Sequence, residues 1–582
     1  MLDFRNVNTL WSSILVTTLV KLGLKTAVVC PGSRSTPLTV AFANNCEVRT
    51  IPILDERSAA FFALGVAKQT YLPTILVCTS GTAGANFYPA IIEAKESRIP
   101  LIILTADRPT ELRNCHAGQT IDQVKFYGNY PNWYAELAIP ETNMGMLQYL
   151  RQNIIQAWSR SLFPIEGVVH LNLPFREPLA PIAQSAVQAL ELDFPTEDFL
   201  AHVSVPKYSK VESISCSIPD FTATQGIIIA GLAQPESPEL YCRAIALLAN
   251  KLNFPVLAEA LSPLRNYADL NPHLIVTYDL ILRNKKIAEH LTPEVVIQLG
   301  ELPTSKILRN WLEQYNRPRY IIESNPENFD PLHGKTIHLR SSVSDFAHNL
   351  NLALDKKLNN QYLQQWLNLD LQSRNAIADK LKSLDILYEG KVAWLLSQHL
   401  PPRTPLFIAN SMSVRNMEFF WQPNNKNIKP YFSRGANGID GTLSTALGIA
   451  DNNQATVLLT GDLALLHDTN GFLMRNKFQG HLTIIVINNN GGGIFNMLPI
   501  NSFNPLFEEY FATPQEVDLN QLCITYGIEH KLINNWQQLS DLLGTLPTEG
   551  IRVLEIPTNR KTDAYWLQTN LWEIAQNLGN GY

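Results

Sequence analysis

Two polar strand ends in the last third of the chain combine residues that could bind a metal ion together with a phosphate. The apolar run TVLLTGD ends at Gly461-Asp462, and the run LTIIVINNNGGG passes through Asn489 to Gly491. Mg²⁺ prefers oxygen ligands and usually binds through one or two protein side chains plus phosphate, and Mn²⁺ accepts the same kind of ligand. The Asp462 carboxylate, the Asn489 amide oxygen and the Gly491 carbonyl oxygen are therefore the predicted metal ligands. The alternative is that Gly-Asp and Asn-Gly only form the turns that end ordinary strands.

A carboxylate in the first third is the second candidate for chemistry. The segment ILDERSAAFFALGVAK indicates a short strand that leads into a helix, with Asp55 and Glu56 at the helix start. Acidic side chains there complement the partial positive charge of a helix N-terminus, and taken alone they need no other explanation. Because the same chain carries the metal-ligand pattern, a catalytic role for Glu56 is the favoured hypothesis.

Basic residues recur near the ends of predicted strands, where parallel α/β sheets bind their ligands. Arginine recognises carboxylates through two parallel hydrogen bonds, so such a set could hold an acidic substrate. Any one of these residues, taken singly, is more safely interpreted as a solvated charge or a structural ion pair, and only their recurrence favours function. The basic candidates are Arg34, Arg108, Lys306, Arg415 and Arg434, and the polar residues Ser33 and Gln119 lie beside Arg34 and after Arg108 in the same loops.

The elements that carry these residues alternate between short apolar strands and helical patterns. Strand patterns such as TAVVC, TILVCTS, GIIIAG, PEVVIQLG, PLFIAN and IRVLEIP are separated by helical segments along the whole chain. This alternation predicts parallel sheets with helices on both faces. We expect three doubly wound α/β domains, over residues 1–193, 194–360 and 361–582. A linker is predicted from about Phe194 to Pro219, and a helical segment from Asp355 to Lys382.

Length and composition fit an ordered multidomain protein. A chain of 582 residues is too long for a single core, and 46% apolar against 17% charged residues excludes a disordered chain. The net charge of -6 gives no overall attraction to nucleic acid or anionic membranes. No run reaches the roughly 18 apolar residues that span a bilayer, and the N-terminal segment has no secretory pattern. We expect a cytoplasmic protein without nucleic-acid partners or membrane spans.

Longer motifs make the chain similar to a known family. The strand-end pair in the last third resembles the magnesium-diphosphate motif of thiamine-diphosphate enzymes, although Leu463 stands where many of them carry glycine. PGSRSTPL, LDERSAAFFALG, TSGTAGANFYPAIIEA, LGELPTSK, SRGANGIDG and GDLALLHDTN resemble segments of the 2-succinyl-5-enolpyruvyl-6-hydroxy-3-cyclohexene-1-carboxylate synthases. The similarity covers nearly the whole chain.

The resemblance implies a reaction and its substrates. That family decarboxylates 2-oxoglutarate on thiamine diphosphate and adds the succinyl unit to isochorismate by 1,4-addition, in menaquinone and phylloquinone biosynthesis. By resemblance, Arg415 and Arg434 bind carboxylates near the cofactor, and the other five substrate candidates hold isochorismate. Ile307 stands where some relatives have a second basic residue, so recognition at Lys306 differs here.

The resemblance also implies contacts with the cofactor. Glu56 would hydrogen-bond the aminopyrimidine ring and promote its imino tautomer. Ile439, in the GID turn, resembles the apolar residue that supports the bent cofactor, although an ordinary core isoleucine is nearly as good an interpretation. Ile494 and Phe495 follow the metal loop and could form an apolar wall around the thiazolium, which core packing would also explain.

The superfamily places its cofactor between the first domain of one subunit and the third domain of another, which predicts a homodimer or a tetramer built from dimers. The closest alternative is another thiamine-diphosphate enzyme, such as an acetolactate synthase or a 2-oxoacid decarboxylase, but the arginine-rich loops argue against a small apolar acceptor. A non-catalytic diphosphate-binding protein on the same fold is the second alternative. Retention of Glu56 with both side-chain metal ligands argues against it.

Overall fold

The computed structural model describes residues 2–205, 223–350 and 360–579. Residues 206–219 of the predicted linker and residues 355–359 of the predicted helical segment lie outside the described residues. The described start of the linker contains a short helix in which Phe199 and Leu200 are buried against the first core. From Asn360 to Lys382 the predicted helical segment is one continuous helix.

The first sheet has six parallel strands. They are β1 (Thr26–Val29), β2 (Arg49–Pro52), β3 (Thr74–Cys78), β4 (Leu101–Asp107), β5 (Trp133–Glu136) and β6 (Val168–Pro174), in the order β2-β1-β3-β4-β6-β5. Its helices are α1 (Val7–Lys21), α2 (Thr36–Ala43), α3 (Glu56–Thr70), α4 (Tyr88–Glu96), α5 (Met144–Leu162), α6 (Ser185–Gln188) and α7 (Thr196–Leu200). Strands β3, β4 and β6 are buried along their whole length because helices cover both faces.

The second sheet also has six parallel strands. They are β7 (Gly226–Ala230), β8 (Val256–Ala258), β9 (Leu274–Ile275), β10 (Val295–Leu299), β11 (Arg319–Ile322) and β12 (Thr336–Leu339), in the order β12-β11-β10-β7-β8-β9. The helices here are α8 (Pro238–Leu252), α9 (Tyr278–Leu282), α10 (Lys285–His290), α11 (Lys306–Tyr315), α12 (Val343–Asn349) and α13 (Asn360–Lys382). This order is that of a dinucleotide-binding doubly wound sheet.

The third sheet repeats the strand order of the first. Its strands are β13 (Pro405–Ile408), β14 (Lys429–Phe432), β15 (Thr456–Gly461), β16 (His481–Asn488), β17 (Glu529–Leu532) and β18 (Gly550–Pro557), in the order β14-β13-β15-β16-β18-β17. The helices are α14 (Glu389–His399), α15 (Met412–Phe420), α16 (Thr442–Ala450), α17 (Asp462–His467), α18 (Leu519–Tyr526), α19 (Trp536–Gly544) and α20 (Arg560–Asn577). The prediction of three doubly wound α/β sheets is confirmed.

The chain divides into two compact units. The first unit contains the described residues of Met1–Tyr208, Ser433–Asn453 and Ala464–Leu482, and so combines the first sheet with α16. The second unit contains the described residues of Ser209–Phe432, Gln454–Leu463 and Thr483–Tyr582, with the second sheet and nearly all of the third. Within the described residues no helix is long and apolar enough to cross a membrane.

Glycines allow α16 to lie directly against α3 within the first unit. A Cβ atom on Gly65 would lie 2.1 Å from the carbonyl oxygen of Thr445, and one on Gly448 would lie 2.1 Å from the carbonyl oxygen of Phe62. No other residue type fits at such a distance. The two helix backbones therefore touch, and this contact fixes the start of α16 beside α3.

Candidate active site

Glu56 is the first residue of α3 and is half-buried. The N-cap of this helix is Asp55, whose carboxylate accepts hydrogen bonds from the backbone N–H of Arg57 at 2.9 Å and of Ser58 at 3.3 Å. Because Asp55 satisfies the free N–H groups of the helix start, capping does not explain Glu56. The Glu56 carboxylate is left for another role.

The surroundings of Glu56 place it at the carboxyl edge of the first sheet. Burial raises the pKa of the Cys30 and Cys78 thiols well above the ordinary value, and the nearby Glu56 carboxylate adds to both effects. Cys30 directly follows β1, and Cys78 ends β3, which is the neighbour of β1. The strand order reverses between β1 and β3, and ligands of doubly wound sheets bind at such a point.

A buried carboxylate connects the start of α3 with α16. Asp468 accepts hydrogen bonds from the backbone N–H of Ser444 at 2.7 Å and from its hydroxyl at 3.0 Å, and the Ser58 hydroxyl lies 3.5 Å away. Asn470 donates to the Asp55 carboxylate at 2.6 Å. Burial raises the pKa of Asp468 to about 6. The GDLALLHDTN segment thereby holds the turn that presents Glu56.

Two of the predicted substrate-binding residues contact Ser80, just after β3, and a third, Arg34, lies near one of them. Arg108 donates from Nη1 to the Ser80 hydroxyl, and Gln119 donates from Nε2 to the Ser80 carbonyl oxygen at 3.2 Å. Burial lowers the pKa of Arg108, and the charge of Arg34 lowers it further. The lowered pKa of Arg108 beside a second guanidinium group favours an anion close to Arg108.

Arg34 retains hydrogen-bonding capacity. Its Nη1 donates to the carbonyl oxygen of Phe175 at 2.9 Å, and the exposed Glu177 carboxylate lies 3.6 Å away. Its Nε is buried and has no hydrogen-bond partner among the described residues. A buried donor without a partner costs about 1–3 kcal/mol, which an anionic ligand would relieve. Ser33, the exposed residue before it, lies on the same loop.

Asp107 fixes the strand end that presents Arg108. Its carboxylate accepts hydrogen bonds from the backbone N–H of Arg108 at 2.7 Å and from the Asn172 side chain at 2.8 Å. It also pairs with Arg113 at 2.9 Å. Burial raises the pKa of the Asp107 carboxyl, although the contacts with Asn172, Arg113 and Arg108 each lower it. The Arg108 backbone is therefore held by a fully buried polar group.

The SRGANGIDG segment is anchored in the first unit by Glu93. The buried Glu93 carboxylate accepts hydrogen bonds from the backbone N–H of Gly435 at 3.1 Å and of Ala436 at 2.7 Å. The Ser97 hydroxyl donates to the same carboxylate at 2.6 Å. These contacts set the course of the chain between Arg434 and Ile439, both of which are half-buried.

In the second unit, Asp462 and Gly491 meet at the ends of neighbouring strands. Asp462 follows β15 directly, and the loop with Gly491 follows β16. The backbone N–H of Gly491 donates to Asp462 Oδ2 at 2.8 Å. Burial raises the pKa of the Asp462 carboxyl. A nearby cation would oppose that effect, as expected for a metal ligand.

Asn489 has the side-chain contacts that best fit a metal ligand. It is buried, and its Nδ2 donates to Glu389 Oε2 at 3.4 Å. Its Oδ1 is buried without a hydrogen-bond partner among the described residues. An amide oxygen is a suitable ligand for a hard cation, so the donor set fits Mg²⁺ or Mn²⁺.

The backbone of the loop suits the same role. Gly491 has a φ of 128°, and a Cβ atom there would lie 2.3 Å from the carbonyl oxygen of Ala512, so only glycine fits. Its own carbonyl oxygen accepts one hydrogen bond, from the N–H of Gly493 at 2.9 Å. A carbonyl oxygen has two lone pairs, which leaves one for a metal ion.

Two buried carboxyls lie behind Asn489. Burial raises the pKa of Glu389 to about 8, and the neighbouring Asp563 contributes to that shift. Burial likewise raises the pKa of Asp563 to about 7. Neither residue has a signal in the sequence, because Glu389 lies in α14 and Asp563 in α20, far along the chain from the metal-binding motif.

The remaining candidates lie on separate elements. Ile494 and Phe495 are half-buried on the short helix Gly493–Met497 that follows the metal loop, and Phe495 contacts Phe511 edge to face. Lys306 is the exposed first residue of α11. Arg415 is half-buried on α15 and donates to the carbonyl oxygen of Ser411 at 2.7 Å.

Comparisons with known proteins agree with this geometry. Residues 11–126 match the family described as "Thiamine pyrophosphate enzyme, N-terminal TPP binding domain". Residues 202–408 match the "Middle domain of thiamine pyrophosphate" family. A protein of Gloeothece citriformis named 2-succinyl-5-enolpyruvyl-6-hydroxy-3-cyclohexene-1-carboxylate synthase is 63% identical, with 99% of each chain covered. A protein of the same name from Rippkaea orientalis is 60% identical, over 99% of this chain and 98% of the relative.

The chain belongs to the 2-succinyl-5-enolpyruvyl-6-hydroxy-3-cyclohexene-1-carboxylate synthase family. It is therefore a thiamine-diphosphate-dependent enzyme.

Solved structures agree with the fold of this synthase family. A thiamin diphosphate-dependent enzyme of Mycobacterium smegmatis superposes with a TM-score of 0.67 at 17% identity, over 94% of this chain and 99% of the other. Benzoylformate decarboxylase of Polynucleobacter necessarius superposes with a TM-score of 0.66 at 16% identity, over 94% and 98%.

Several residues around the candidate site of this synthase-family chain escaped sequence reasoning. Ser80 and Glu93 act through contacts that join distant segments, and no residue spacing in the sequence predicts those contacts. Ser411 has a φ of 69°, a conformation rare outside glycine that concentrates at functional sites. The sequence signal for a functional role of Ser411 is its position shortly after the strand PLFI.

Proposed function

We propose that this chain decarboxylates 2-oxoglutarate on thiamine diphosphate and adds the succinyl unit to isochorismate, giving 2-succinyl-5-enolpyruvyl-6-hydroxy-3-cyclohexene-1-carboxylate and CO₂. The observation that carries the proposal is the pair of guanidinium groups, Arg34 and Arg108, with the buried unpartnered Nε of Arg34. Isochorismate is a dicarboxylate, and paired arginines are suited to bind one. A small apolar acceptor would need no such pair.

The same argument supports the predicted assignment of the polar residues, some to isochorismate and others to carboxylates nearer the cofactor. Ser33, Arg34, Arg108 and Gln119 bind isochorismate, and Lys306 completes that set. Arg415 and Arg434 bind the carboxylates nearer the cofactor. The cluster around Ser80 supports the first assignment, since three of its members share one small region of the first unit.

The proposed cofactor contacts are made by carboxylate, amide and carbonyl oxygens. Asp462, Asn489 and Gly491 hold Mg²⁺ or Mn²⁺, and the metal ion holds the diphosphate. When bound, thiamine diphosphate supplies the electron sink for decarboxylation. Glu56 hydrogen-bonds the aminopyrimidine ring and promotes its imino tautomer.

Apolar side chains complete the proposed cofactor site. Ile439 supports the bent cofactor, and Ile494 with Phe495 keeps water from the reacting carbon. All three are half-buried, so their apolar surface is only partly covered by the chain itself.

We further propose a cytoplasmic homodimer, or a tetramer of two such dimers, in menaquinone or phylloquinone biosynthesis. The predicted boundaries of its three domains, 1–193, 194–360 and 361–582, stay part of this proposal.

The test is isochorismate consumption by the purified protein with 2-oxoglutarate, thiamine diphosphate and Mg²⁺, with each component omitted in turn. Turnover that is lost on each omission, with a succinylated cyclohexene product, is the expected result. Cofactor-dependent CO₂ release from another 2-oxoacid, without isochorismate consumption, would retain the cofactor and reject the substrates. An acetolactate synthase or a simple decarboxylase would give that second result.

A further inference from the structure

Asn489 can serve as a metal ligand only if its amide is turned the right way. Its side chain has one oxygen, which can bind a cation, and one NH₂ group, which cannot. The two ends have nearly the same shape, so the neighbouring hydrogen-bond partners decide which end faces the metal. Replacing such a partner typically lowers metal affinity about 10- to 100-fold.

The contacts of Asn489 select one orientation. Glu389 Oε2 lies 3.4 Å from Nδ2, and a carboxyl oxygen that carries no proton accepts a hydrogen bond from the NH₂ end of the amide and can make none with its oxygen end. A Cβ atom on Gly493 would lie 2.7 Å from Nδ2, so the absence of a side chain there makes room for the NH₂ group. With Nδ2 held in this space, Oδ1 is the end without a partner among the described residues.

Glu389 is itself held in place from several sides. It is buried and is the first residue of α14. The helix α14 packs against α15 and α20, on which Asn416 and Asp563 are likewise buried. Two neighbouring helices therefore enclose the carboxyl group that faces Asn489.

We infer that Glu389 is a positioning residue for the metal site, which turns the Asn489 amide so that Oδ1 faces the divalent cation. The inference rests on the proposed function, because it takes Asp462, Asn489 and Gly491 to be the metal ligands. It adds a residue distant in sequence from the metal-binding motif.

The experiment is a Mn²⁺ titration of the full-length protein with saturating thiamine diphosphate, in which electron paramagnetic resonance measures the free ion. Glu389→Met removes the acceptor, and affinity for Mn²⁺ should fall about 10- to 100-fold. Glu389→Gln keeps an acceptor oxygen for Nδ2 and should retain most of the affinity. Far-UV circular dichroism checks that each variant is folded, and Glu389→Leu, which also lacks the acceptor, replaces Glu389→Met if that variant does not fold.

Glu555→Met is the matched control. Glu555 accepts a hydrogen bond from the side chain of Asn488 at 2.6 Å, so it makes the same kind of pair with the residue next to Asn489. This variant should bind Mn²⁺ as the wild type does. Equal losses in Glu389→Met and Glu555→Met would mean a general disturbance of the strand end and would overturn the inference.

Two further outcomes are decisive. Wild-type affinity in folded Glu389→Met overturns the inference, and so does a loss in Glu389→Gln as large as in Glu389→Met, because charge rather than orientation would then explain it. Asp462→Ala tests the metal site itself. If Asp462→Ala binds Mn²⁺ as tightly as the wild type, the proposed ligands are wrong, whatever Glu389 does.

Discussion

Asp55 and Glu56 are adjacent acids with different surroundings, and this difference makes only one of them a candidate catalyst. Asp55 caps α3 and receives the side chain of Asn470. The charge of Glu56 reaches both Cys30 and Cys78 at the carboxyl edge of the first sheet, whereas that of Asp55 reaches Cys30 alone. A carboxylate at that edge is available to a ligand, whereas one engaged in capping is not.

We predict that Glu56→Gln keeps the fold and the affinity for thiamine diphosphate but lowers kcat by about 10²- to 10⁴-fold, the usual contribution of a positioned acid or base. Asp55→Asn is the control, since asparagine caps a helix as well as aspartate does and should leave most of the activity. Isochorismate consumption and a calorimetric titration of the cofactor measure the two effects. Full activity in Glu56→Gln, with contaminating enzyme excluded, would remove Glu56 from the mechanism.

Arg108 allows a similar test of substrate binding. Replacing it by glutamine removes a charged hydrogen-bond donor, which is typically equivalent to about 10- to 100-fold in binding. Arg108→Gln should therefore raise KM for isochorismate by that factor and leave KM for 2-oxoglutarate unchanged. Arg176→Gln is the control, because Arg176 is exposed and pairs with Glu111. A rise in KM for both substrates alike would contradict the assignment of Arg108 to isochorismate.

At the scale of elements, the contact between α3 and α16 is the one that most directly places candidate residues together. Glu56 begins α3, and Ile439 lies just before α16. A Cβ atom on Gly441, at the N-cap of α16, would lie 1.9 Å from the ring of Phe61. The turn that carries Ile439 therefore meets α3 about one and a half helical turns beyond Glu56.

This contact predicts a contrast between two helical glycines. Gly65→Ala would force a methyl group against the carbonyl oxygen of Thr445, and we expect a loss of about 1–3 kcal/mol in the free energy of unfolding. Gly544→Ala, where nothing lies within 4 Å of the added Cβ, should be neutral or slightly stabilising. Thermal unfolding of both variants tests the contrast. Equal melting temperatures would show that α16 does not depend on α3.

Asp468, between α3 and α16, predicts a pH dependence. Its pKa of about 6 in the folded protein exceeds the ordinary 3.8, so the folded state binds more protons than the unfolded state between these values. Its contribution to stability therefore falls as pH rises from about 4 to 6. Asp468→Asn does not titrate, so its stability relative to wild type should rise over that range by up to about 3 kcal/mol. Melting temperatures measured from pH 4 to 7 would show a flat difference if Asp468 has an ordinary pKa.

At the scale of the whole molecule, the proposed cofactor ligands belong to different compact units. Glu56 lies in the first unit, and Asp462 and Asn489 lie in the second. Our proposal that the first domain of one subunit serves the third domain of another makes a dimer the smallest active form. It also predicts how two inactive variants behave when they are mixed.

Co-expression of Glu56→Gln and Asp462→Ala chains with different tags tests that arrangement. If sites are shared between subunits, half of the randomly assembled dimers contain one intact site, and activity should reach about a quarter of wild type. If each chain forms its own site, every site carries one defect and the mixture stays inactive. Size-exclusion chromatography with light scattering then separates a dimer from a tetramer, against a chain mass of 65.3 kDa.

Much of the fold was predictable because strands and helices in a parallel α/β protein have local signals. TILVC and GIIIA are buried throughout, as their apolar runs predict. The helix α1 and the strands β5 and β6 were not predicted individually. The half-buried edge strand β5, WYAE, lacks the apolar run that marks β3, and it has only one neighbouring strand.

The sequence by itself determined the family, the three-sheet architecture and the ends of β15 and β16 as a candidate metal site, because each depends on a short contiguous motif. Only the tertiary structure decided which acid caps α3, which groups surround Ser80 and which carboxylate faces Asn489. Glu389 lies 100 residues from Asn489 in the sequence, and Glu93 lies 343 residues from Ala436. Contacts between such distant residues depend on how the elements pack, and neither spacing nor residue type along the chain carries that information.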